Sequence, residues 1–324
     1  MKITKYIAVL CAIMTLLCGC MDSELLESGN STENSSTHEA ANVFAPIGTS
    51  DAPTTESTAD KQPPQLPTCK AAAICCVEDN EMIYSVNENV PIAPASLTKL
   101  LTASTALNYV DSNEIFTVGS EQQLVNPYSS LCLISYGQRI SLNGLLYGLL
   151  LSSGNDAAYT IAVSTARSFS GSTDMEDKEA VDFFCAMMNN FAAYLGMNNS
   201  SFVNPDGWDD DNQYTTVSDL LILAKYVLTV PELREITGIS EKTVFFEDGG
   251  TAEWHNSNSL LYPDSKYYCE YAVGMKTGTT ENAGNCLIAA FVKDGRTYIA
   301  IAAGCAEDEE RYEAVLELFN YAVS

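Results

Sequence analysis

Ser96 and Lys99 are the first two residues whose types and spacing suggest chemistry. They lie three positions apart in a run where Leu97, Leu100 and Leu101 repeat at helical spacing. On a helix, side chains three positions apart project from the same side. A lysine in the first turn faces the positive end of the helix dipole, which favours its neutral form. Because a neutral lysine can take the proton of a hydroxyl, the pair predicts a serine nucleophile with a lysine base.

A structural explanation of this pair is the alternative. Serine is a common helix N-cap, and a nearby lysine can be a solvated charge. However, a capping box has Glu or Gln three residues after the cap, where this chain has Lys99. Two later motifs favour chemistry, namely Ser153-Gly154-Asn155 and Lys276-Thr277-Gly278. The order S-x-x-K, S-x-N, K-T-G is the signature of penicillin-binding proteins and serine β-lactamases.

The chain from about residue 70 to 323 resembles the serine D-alanyl-D-alanine carboxypeptidases, the low-molecular-mass penicillin-binding proteins. The similarity extends beyond the three motifs to residues 145–158, 202–207, 256–261 and 274–280. The resemblance implies a β-lactamase/transpeptidase-like fold and a peptidase that acts through an acyl-enzyme. It also implies two partners, peptidoglycan stem peptides ending in D-Ala-D-Ala and β-lactam antibiotics as covalent inhibitors.

The resemblance assigns a role to each motif residue. Ser96 would be the nucleophile, Lys99 the base, and Ser153 a proton relay to the leaving amine. Five residues would bind substrate: Asn155, Lys276, Thr277, Gly278 and Thr279. Lys276 would hold the terminal carboxylate from an edge strand, and Asn155 the substrate amide. Backbone N–H groups of Ser96 and Thr279 would form the oxyanion hole.

Composition excludes some other kinds of function. Lys plus Arg number 16 and Asp plus Glu 42, a net charge of −26, which argues against nucleic acid as a partner. Neither a metal nor another cofactor is expected, since the chain has two histidines, His38 and His255, and no C-x-x-C pair. Most cysteines beyond the first 20 residues are expected to be buried free thiols. Four lie in apolar strand-like runs: Cys75, Cys76, Cys286 and Cys305.

The N-terminus is typical of a processing signal. Lys2 and Lys5 precede an apolar run that ends in Cys18-Gly19-Cys20. This ending resembles a bacterial lipobox, so we expect a signal peptide over 1–20 and an acylated Cys20. Residues 21–67 are rich in Ser, Thr, Asn, Glu and Pro and are expected to form a disordered linker. The protein would then be exported and lipid-anchored at the outer face of the bacterial cytoplasmic membrane. An uncleaved anchor or an ordinary signal is the alternative.

Residues 68–324 are expected to form the catalytic domain. Strands are predicted over 71–77, 82–86, 286–292 and 297–303, and helices from Ser96 and over 139–150, 156–167, 178–195, 217–230 and 308–322. This order predicts an α/β fold of the α+β type, in which an antiparallel sheet from both chain ends is flanked by helices and carries a helical subdomain. Too few residues follow Gly278 for the additional C-terminal β-domain that many family members carry.

Two other functions remain as alternatives. A β-lactamase shares the nucleophile, but the Glu-x-x-x-Asn deacylation pattern of the common class is missing here. A non-catalytic lipoprotein that binds peptidoglycan or senses β-lactams would have lost a catalytic group, and none is lost. Residues 305–308, directly after Gly304, lack the basic group that some family members place there. Four polar residues are expected to have only cap and loop roles: Asp156, Asn204, Asp206 and Asp209.

Overall fold

The structure, a computed structural model, describes residues 61–324. Its strands are β1 (Ala71–Cys76), β2 (Glu81–Val86), β3 (Ile115–Thr117), β4 (Arg139–Ser141), β5 (Glu241–Phe245), β6 (Thr251–His255), β7 (Ala272–Thr280), β8 (Gly284–Lys293) and β9 (Arg296–Cys305). Its α-helices are α1 (Thr98–Tyr109), α2 (Leu142–Leu150), α3 (Asn155–Ser170), α4 (Asp177–Leu195), α5 (Val217–Thr229), α6 (Pro231–Gly238) and α7 (Asp308–Val323). The predictions for the signal peptide, Cys20 and most of the linker lie outside the described residues.

Strands from both chain ends share one antiparallel sheet, as predicted. Its order is β2-β1-β9-β8-β7, so β7 is an edge strand. Strands β8 and β9 are joined at Asp294 and Gly295, which both have positive φ as a two-residue hairpin turn requires.

Each face of the sheet is covered by helices. Every residue of β1 is buried, because successive side chains point to opposite faces and both faces are packed. Ala72 and Ile74 belong to the apolar cluster that includes α7, where Phe291 stacks on Phe319 with ring centroids 4.3 Å apart. Ala71 and Ala73 belong to the larger cluster shared with the other helices. Helix α1, which holds Lys99, therefore belongs to the cluster on the opposite face of the sheet from α7.

The prediction of a helix over 139–150 is wrong at its first three residues. Residues 139–141 form β4, which pairs with β3, and the Ser141 side chain caps α2 by accepting a hydrogen bond from Gly144 N at 3.1 Å. Periodicity alone did not separate the strand from the helix that follows it. The hairpin of β5 and β6 was not predicted either.

The N-terminal boundary of the packed region precedes residue 68. Pro64 is buried, and Leu66 packs against the apolar cluster that includes α7. Cys69 forms a disulfide with Cys305, which corrects the expectation that Cys305 is a free apolar thiol. Five of the six free cysteines in the described residues are buried, and Cys269 is half-buried. Among residues 61–324, no helix combines the length and apolar character needed to cross a bilayer.

Candidate active site

Ser96 lies in a short 3-10 turn, Ala95–Leu97, that leads directly into α1. Ala95 has φ of +47°, a conformation that residues other than glycine rarely adopt and that is found mostly at functional sites. Lys99, one turn further on, places its Nζ 2.9 Å from Ser96 Oγ. The predicted pair is therefore within hydrogen-bonding distance, although Ser96 precedes the α-helix instead of opening it.

The Lys99 side chain is fully buried, which makes its charged form unfavourable. Burial lowers the pKa of Lys99 to about 8, against the opposing effect of the nearby carboxylates of Asp206 and Asp156. A large fraction of Lys99 is thus neutral near pH 8 and able to accept a proton. This environment supplies what a lysine base requires.

Asp206 was expected to have only a loop role, and the structure corrects that expectation. Its carbonyl oxygen lies 2.7 Å from Lys99 Nζ, and its carboxylate Oδ2 accepts a hydrogen bond from Asn155 Nδ2 at 2.5 Å. Its carboxylate Oδ1 accepts from Trp208 N at 3.1 Å. Burial raises the pKa of the Asp206 carboxyl, and the positive charge of Lys99 opposes that rise. Asp206 thereby links the first motif to the second.

The backbone around Asp206 explains this close contact. Gly207 has φ of +90°, and a Cβ atom added there would lie 1.8 Å from the carbonyl oxygen of Ala95. Only glycine therefore allows the loop to approach the nucleophile turn. Asp209 connects the same loop to the end of β7 and the turn after it. Its carboxylate accepts hydrogen bonds from Thr280 Oγ1 at 2.6 Å and from Asn282 N at 3.0 Å.

The second motif connects α2 to α3. Ser153 has φ of +57° and is mostly buried, and Asn155 is the first residue of α3. A Cβ atom on Gly154 would lie 2.7 Å from both Cys132 Sγ and a carboxylate oxygen of Asp156, so this turn is tightly packed. Among the hydrogen bonds of the described residues, none joins the Ser153 hydroxyl to Ser96 or Lys99. Its predicted relay role stays a prediction.

The third motif lies on β7, the edge strand, beside Ser96. A Cβ atom on Gly278 would lie 3.1 Å from the backbone nitrogen of Ser96, so the glycine permits this approach. Thr277 Oγ1 lies 2.6 Å from Ser257 Oγ, and Thr279 is exposed. The structure thus brings the three motifs to one place.

Lys276, which was expected to hold the terminal carboxylate from the edge strand, is buried in the structure. Its side chain is only 1% exposed, and its Nζ donates to the Thr277 carbonyl at 3.0 Å. Burial lowers the pKa of Lys276 well below its usual range, and the positive charges of Lys99 and Arg311 lower it further. When both lysines are protonated, they form with Arg311 a buried positive region that a bound carboxylate would neutralise.

Arg311 is a basic residue that follows residues 305–308, in which no basic residue is present. It lies in the first turn of α7, and its Nη1 donates to Thr279 Oγ1 at 3.1 Å and to the Gly278 carbonyl at 3.3 Å. The guanidinium is mostly buried and also forms an ion pair with Asp308. One signal could have indicated its burial, since Arg311 is four residues before the apolar Val315 and so shares its buried helix face.

His255 lies on the exposed hairpin of β5 and β6, near Glu241 and Glu253. A ring nitrogen of His255 and one carboxylate oxygen from each glutamate lie within 4.8 Å of one another, and all three residues are exposed. His255 therefore pairs with surface acids, whereas Ser96 has a lysine as its neighbour.

Comparison with known proteins extends this description. A family model described as D-alanyl-D-alanine carboxypeptidase matches residues 57–306. The chain belongs to the D-alanyl-D-alanine carboxypeptidase family. The family resemblance of the three motifs is thereby confirmed.

Two relatives in the family show how far the similarity extends. D-alanyl-D-alanine carboxypeptidase DacF of Bacillus subtilis is 29% identical over 259 residues, which are 79% of this chain and 62% of DacF. D-alanyl-D-alanine carboxypeptidase DacD of Salmonella typhimurium is 31% identical, over 80% of this chain and 64% of DacD. The chain therefore spans less than two thirds of either relative.

Solved structures support the fold. The crystal structure of the Streptomyces K15 DD-transpeptidase is similar with a TM-score of 0.71 and 25% identity, over 79% of this chain and 98% of that one. The D-alanyl-D-alanine carboxypeptidase DacD of Francisella tularensis is similar with a TM-score of 0.68 and 22% identity, over 83% of this chain and 74% of that one. The predicted transpeptidase-like fold is thus confirmed.

Proposed function

We propose that this protein is a serine-type D-alanyl-D-alanine carboxypeptidase that removes the terminal D-alanine from peptidoglycan stem peptides. The observation that carries the proposal is the 2.9 Å distance between Lys99 Nζ and Ser96 Oγ, at a lysine whose pKa burial lowers to about 8. Membership of the family supports the reaction class.

Acylation begins at Ser96. Neutral Lys99 accepts the Ser96 hydroxyl proton, and Oγ attacks the carbonyl carbon of the penultimate D-alanine. The backbone N–H groups of Ser96 and Thr279 stabilise the oxyanion. The C–N bond then breaks, the amine of the leaving D-alanine takes a proton through Ser153, and an ester remains on Ser96. Water hydrolyses this ester and restores the hydroxyl.

Substrate binding uses the opposite walls of the cleft. Arg311 and the protonated form of Lys276 attract the terminal carboxylate of the stem peptide, and Thr277 offers a hydroxyl. Asn155, held in place by Asp206, binds the peptide amide on the other wall. The carboxylate of the substrate also stabilises the charged form of Lys276, whose charge is unfavourable in the free protein.

Release of D-alanine tests this function directly. The full chain is incubated with a pentapeptide ending in D-Ala-D-Ala, and free D-alanine is quantified. We expect release by the wild type and by Ser172→Ala, a half-buried serine outside the candidate site that serves as the control, and only background release by Ser96→Ala. Equal release by Ser96→Ala would contradict the proposal. A wild type that binds penicillin covalently and releases no D-alanine would favour the sensing lipoprotein.

The site gives a reason to prefer this function to a β-lactamase. Among the described residues, Asp206 is the carboxylate hydrogen-bonded to a motif side chain, and both of its oxygens already accept hydrogen bonds. It is therefore poorly placed to activate a water for fast hydrolysis of a penicilloyl ester. β-Lactams would then act as covalent inhibitors. Rapid turnover of penicillin would contradict this.

The chain organisation completes the proposal. The sequence supports a signal peptide over 1–20, an acylated Cys20 and a linker from residue 21 to a catalytic domain that begins before residue 68, with the protein anchored at the outer face of the cytoplasmic membrane. A Cys20→Ala form should be released or stay unprocessed, whereas Cys18→Ala should remain anchored. If Cys20→Ala is cleaved and still membrane-bound, the lipobox interpretation is wrong.

A further inference from the structure

Four exposed apolar side chains follow one another beside the candidate active site. Tyr128 is 91% exposed, Leu131 39%, Leu133 79% and Tyr136 80%. We call these four residues the apolar rim. Large apolar side chains that are grouped on a surface usually mark an interaction site.

The segment that carries the rim is hydrogen-bonded to the start of α3 and to β6. The carbonyl of Ser130 accepts a hydrogen bond from Asn155 N at 2.8 Å. The carboxylate of Asp156 accepts from Cys132 N at 2.9 Å and from Ile134 N at 3.1 Å. Trp254 Nε1 donates to the Cys132 carbonyl at 2.8 Å.

This attachment fixes which side chains face solvent. Cys132 and Ile134 are buried, whereas Leu131 and Leu133 between and beside them are exposed. Their exposure follows from a backbone held at several points, and the rim begins next to a residue that we place in the substrate site.

The charge of this segment narrows the choice of partner. Residues 113–138 contain no Lys or Arg, and Glu114 and Glu121 are the charged residues. Attachment of a peripheral segment to anionic lipid relies on basic residues, so this composition disfavours a membrane. Tyrosine combines an apolar ring with a hydroxyl that stays in water, which suits a ligand with apolar faces and polar edges. Amino-sugar rings have this character.

The length of the substrate brings its sugar to the same place. In the proposed reaction the terminal carboxylate lies at Lys276 and Arg311, and the rest of the stem peptide leaves past Asn155. Four residues of a pentapeptide lie on the acyl side of the scissile bond and extend at most about 14 Å. From Ser130, an extended chain reaches Tyr136 within about 20 Å. A stem peptide of this length that passes Asn155 can therefore reach the segment that begins at Ser130, whose carbonyl accepts a hydrogen bond from Asn155 N.

We propose that the apolar rim binds the amino-sugar chain to which the stem peptide is attached, so that the protein prefers glycan-linked stem peptides to free ones. This inference rests on the proposed function. It adds a second contact region outside the catalytic cleft, used by polymer-linked substrate and unused by a free peptide.

Binding to the full chain carrying Ser96→Ala tests the rim without any need for turnover. Calorimetry compares a free pentapeptide with the same pentapeptide linked to an N-acetylglucosaminyl–N-acetylmuramoyl disaccharide. We expect the linked form to bind roughly tenfold more tightly. Adding Tyr128→Ser and Tyr136→Ser should reduce this ratio to less than about twofold. Adding Tyr194→Ser, a tyrosine of α4 that is 74% exposed, should preserve it.

The proposal is overturned if the linked and free pentapeptides bind with equal affinity before the tyrosines are changed. It is also overturned if the affinity ratio is the same after both tyrosines are changed. If the double variant melts early, Leu133→Ser provides the same comparison. Loss of vesicle binding or of self-association in the rim variants, with the affinity ratio preserved, would assign the rim to lipid or to a second copy and overturn it too. D-alanine release by the wild type is measured separately, so failure of the reaction is distinguished from failure of the rim.

Discussion

The carboxylate of Asp206 accepts a hydrogen bond from the Asn155 side chain at 2.5 Å, while its backbone carbonyl lies 2.7 Å from Lys99 Nζ. One buried residue therefore contacts both the Asn155 amide, which we propose binds substrate, and Lys99, which we propose is the base. The negative charge of Asp206 also raises the pKa of Lys99, against the larger effect of burial. The strength of the base thus depends on a residue outside the three motifs.

This relationship predicts a shift in the pH dependence of acylation. The neutral form of Lys99 is the active one, so the wild-type rate should rise as the pH increases through about 8. Asp206→Asn removes a charge that raises the Lys99 pKa, so the same rise should occur at lower pH. The measurement is the rate of covalent labelling by a labelled penicillin as a function of pH. Asp219→Asn, a buried acid bound to Asn199 and Ser200, is the control and should leave the rise in place. If the labelling rate of Asp206→Asn rises over the same pH range as that of the wild type, the account is contradicted.

Replacing Lys99 by arginine tests the base. Lys99→Arg retains the charge and offers a group that cannot lose its proton near neutral pH. We expect acylation by penicillin to slow by roughly 10²- to 10⁴-fold, with the fold intact by thermal melting. Lys276→Arg retains a positive charge at the carboxylate anchor and should still be labelled slowly. If Lys99→Arg acylates at the wild-type rate and Lys276→Arg does not, the two roles have been exchanged.

The burial of Lys276 predicts that this residue lowers stability. Its pKa in the folded protein lies below its unfolded value of about 10.4, because burial and the charges of Lys99 and Arg311 disfavour protonation. The free energy of unfolding should therefore rise with pH between the folded and unfolded pKa values. Lys276→Met should add about 1–2 kcal/mol at neutral pH. This gain should shrink as the pH approaches about 10.4, as measured by urea unfolding. A loss of stability, or a gain independent of pH, would refute the argument.

Arg311 is predicted to bind the substrate carboxylate. Arg311→Gln should lower kcat/KM for a pentapeptide with a free terminal carboxylate by roughly 10- to 100-fold, the usual effect of losing a charged hydrogen-bond partner. The effect on the corresponding terminal amide should be small. Arg167→Gln, which breaks an ion pair with Asp177, is the matched control and should leave kcat/KM unchanged. Equal losses on the acid and the amide would assign Arg311 a purely structural role.

Features that depend on neighbouring residues could be predicted from the sequence. The helix of Lys99, the hairpin of β8 and β9 and the helix α7 follow from periodicity and turn residues. The three motifs identify Ser96 and Lys99 because a helical turn brings both to one side.

Features that depend on tertiary packing could not be predicted. Asp206 is 107 residues from Lys99, and its contact requires Gly207 to pack against the nucleophile turn. Arg311 reaches Thr279 through the packing of α7 on the sheet, and Lys276 is buried by groups far away in the sequence. Contacts and charge interactions between residues so distant in the sequence leave no local periodic signal. The burial of Arg311 is the exception, because its place one turn before Val315 indicates it.

The most direct test of the account is the site at which penicillin attaches. The full chain is incubated with a labelled penicillin, digested and mapped by mass spectrometry, with Ser96→Ala and Ser172→Ala treated in parallel. The account predicts one adduct, on Ser96, in the wild type and in Ser172→Ala, and none in Ser96→Ala. An adduct on Ser153, or labelling that persists in Ser96→Ala, would contradict it.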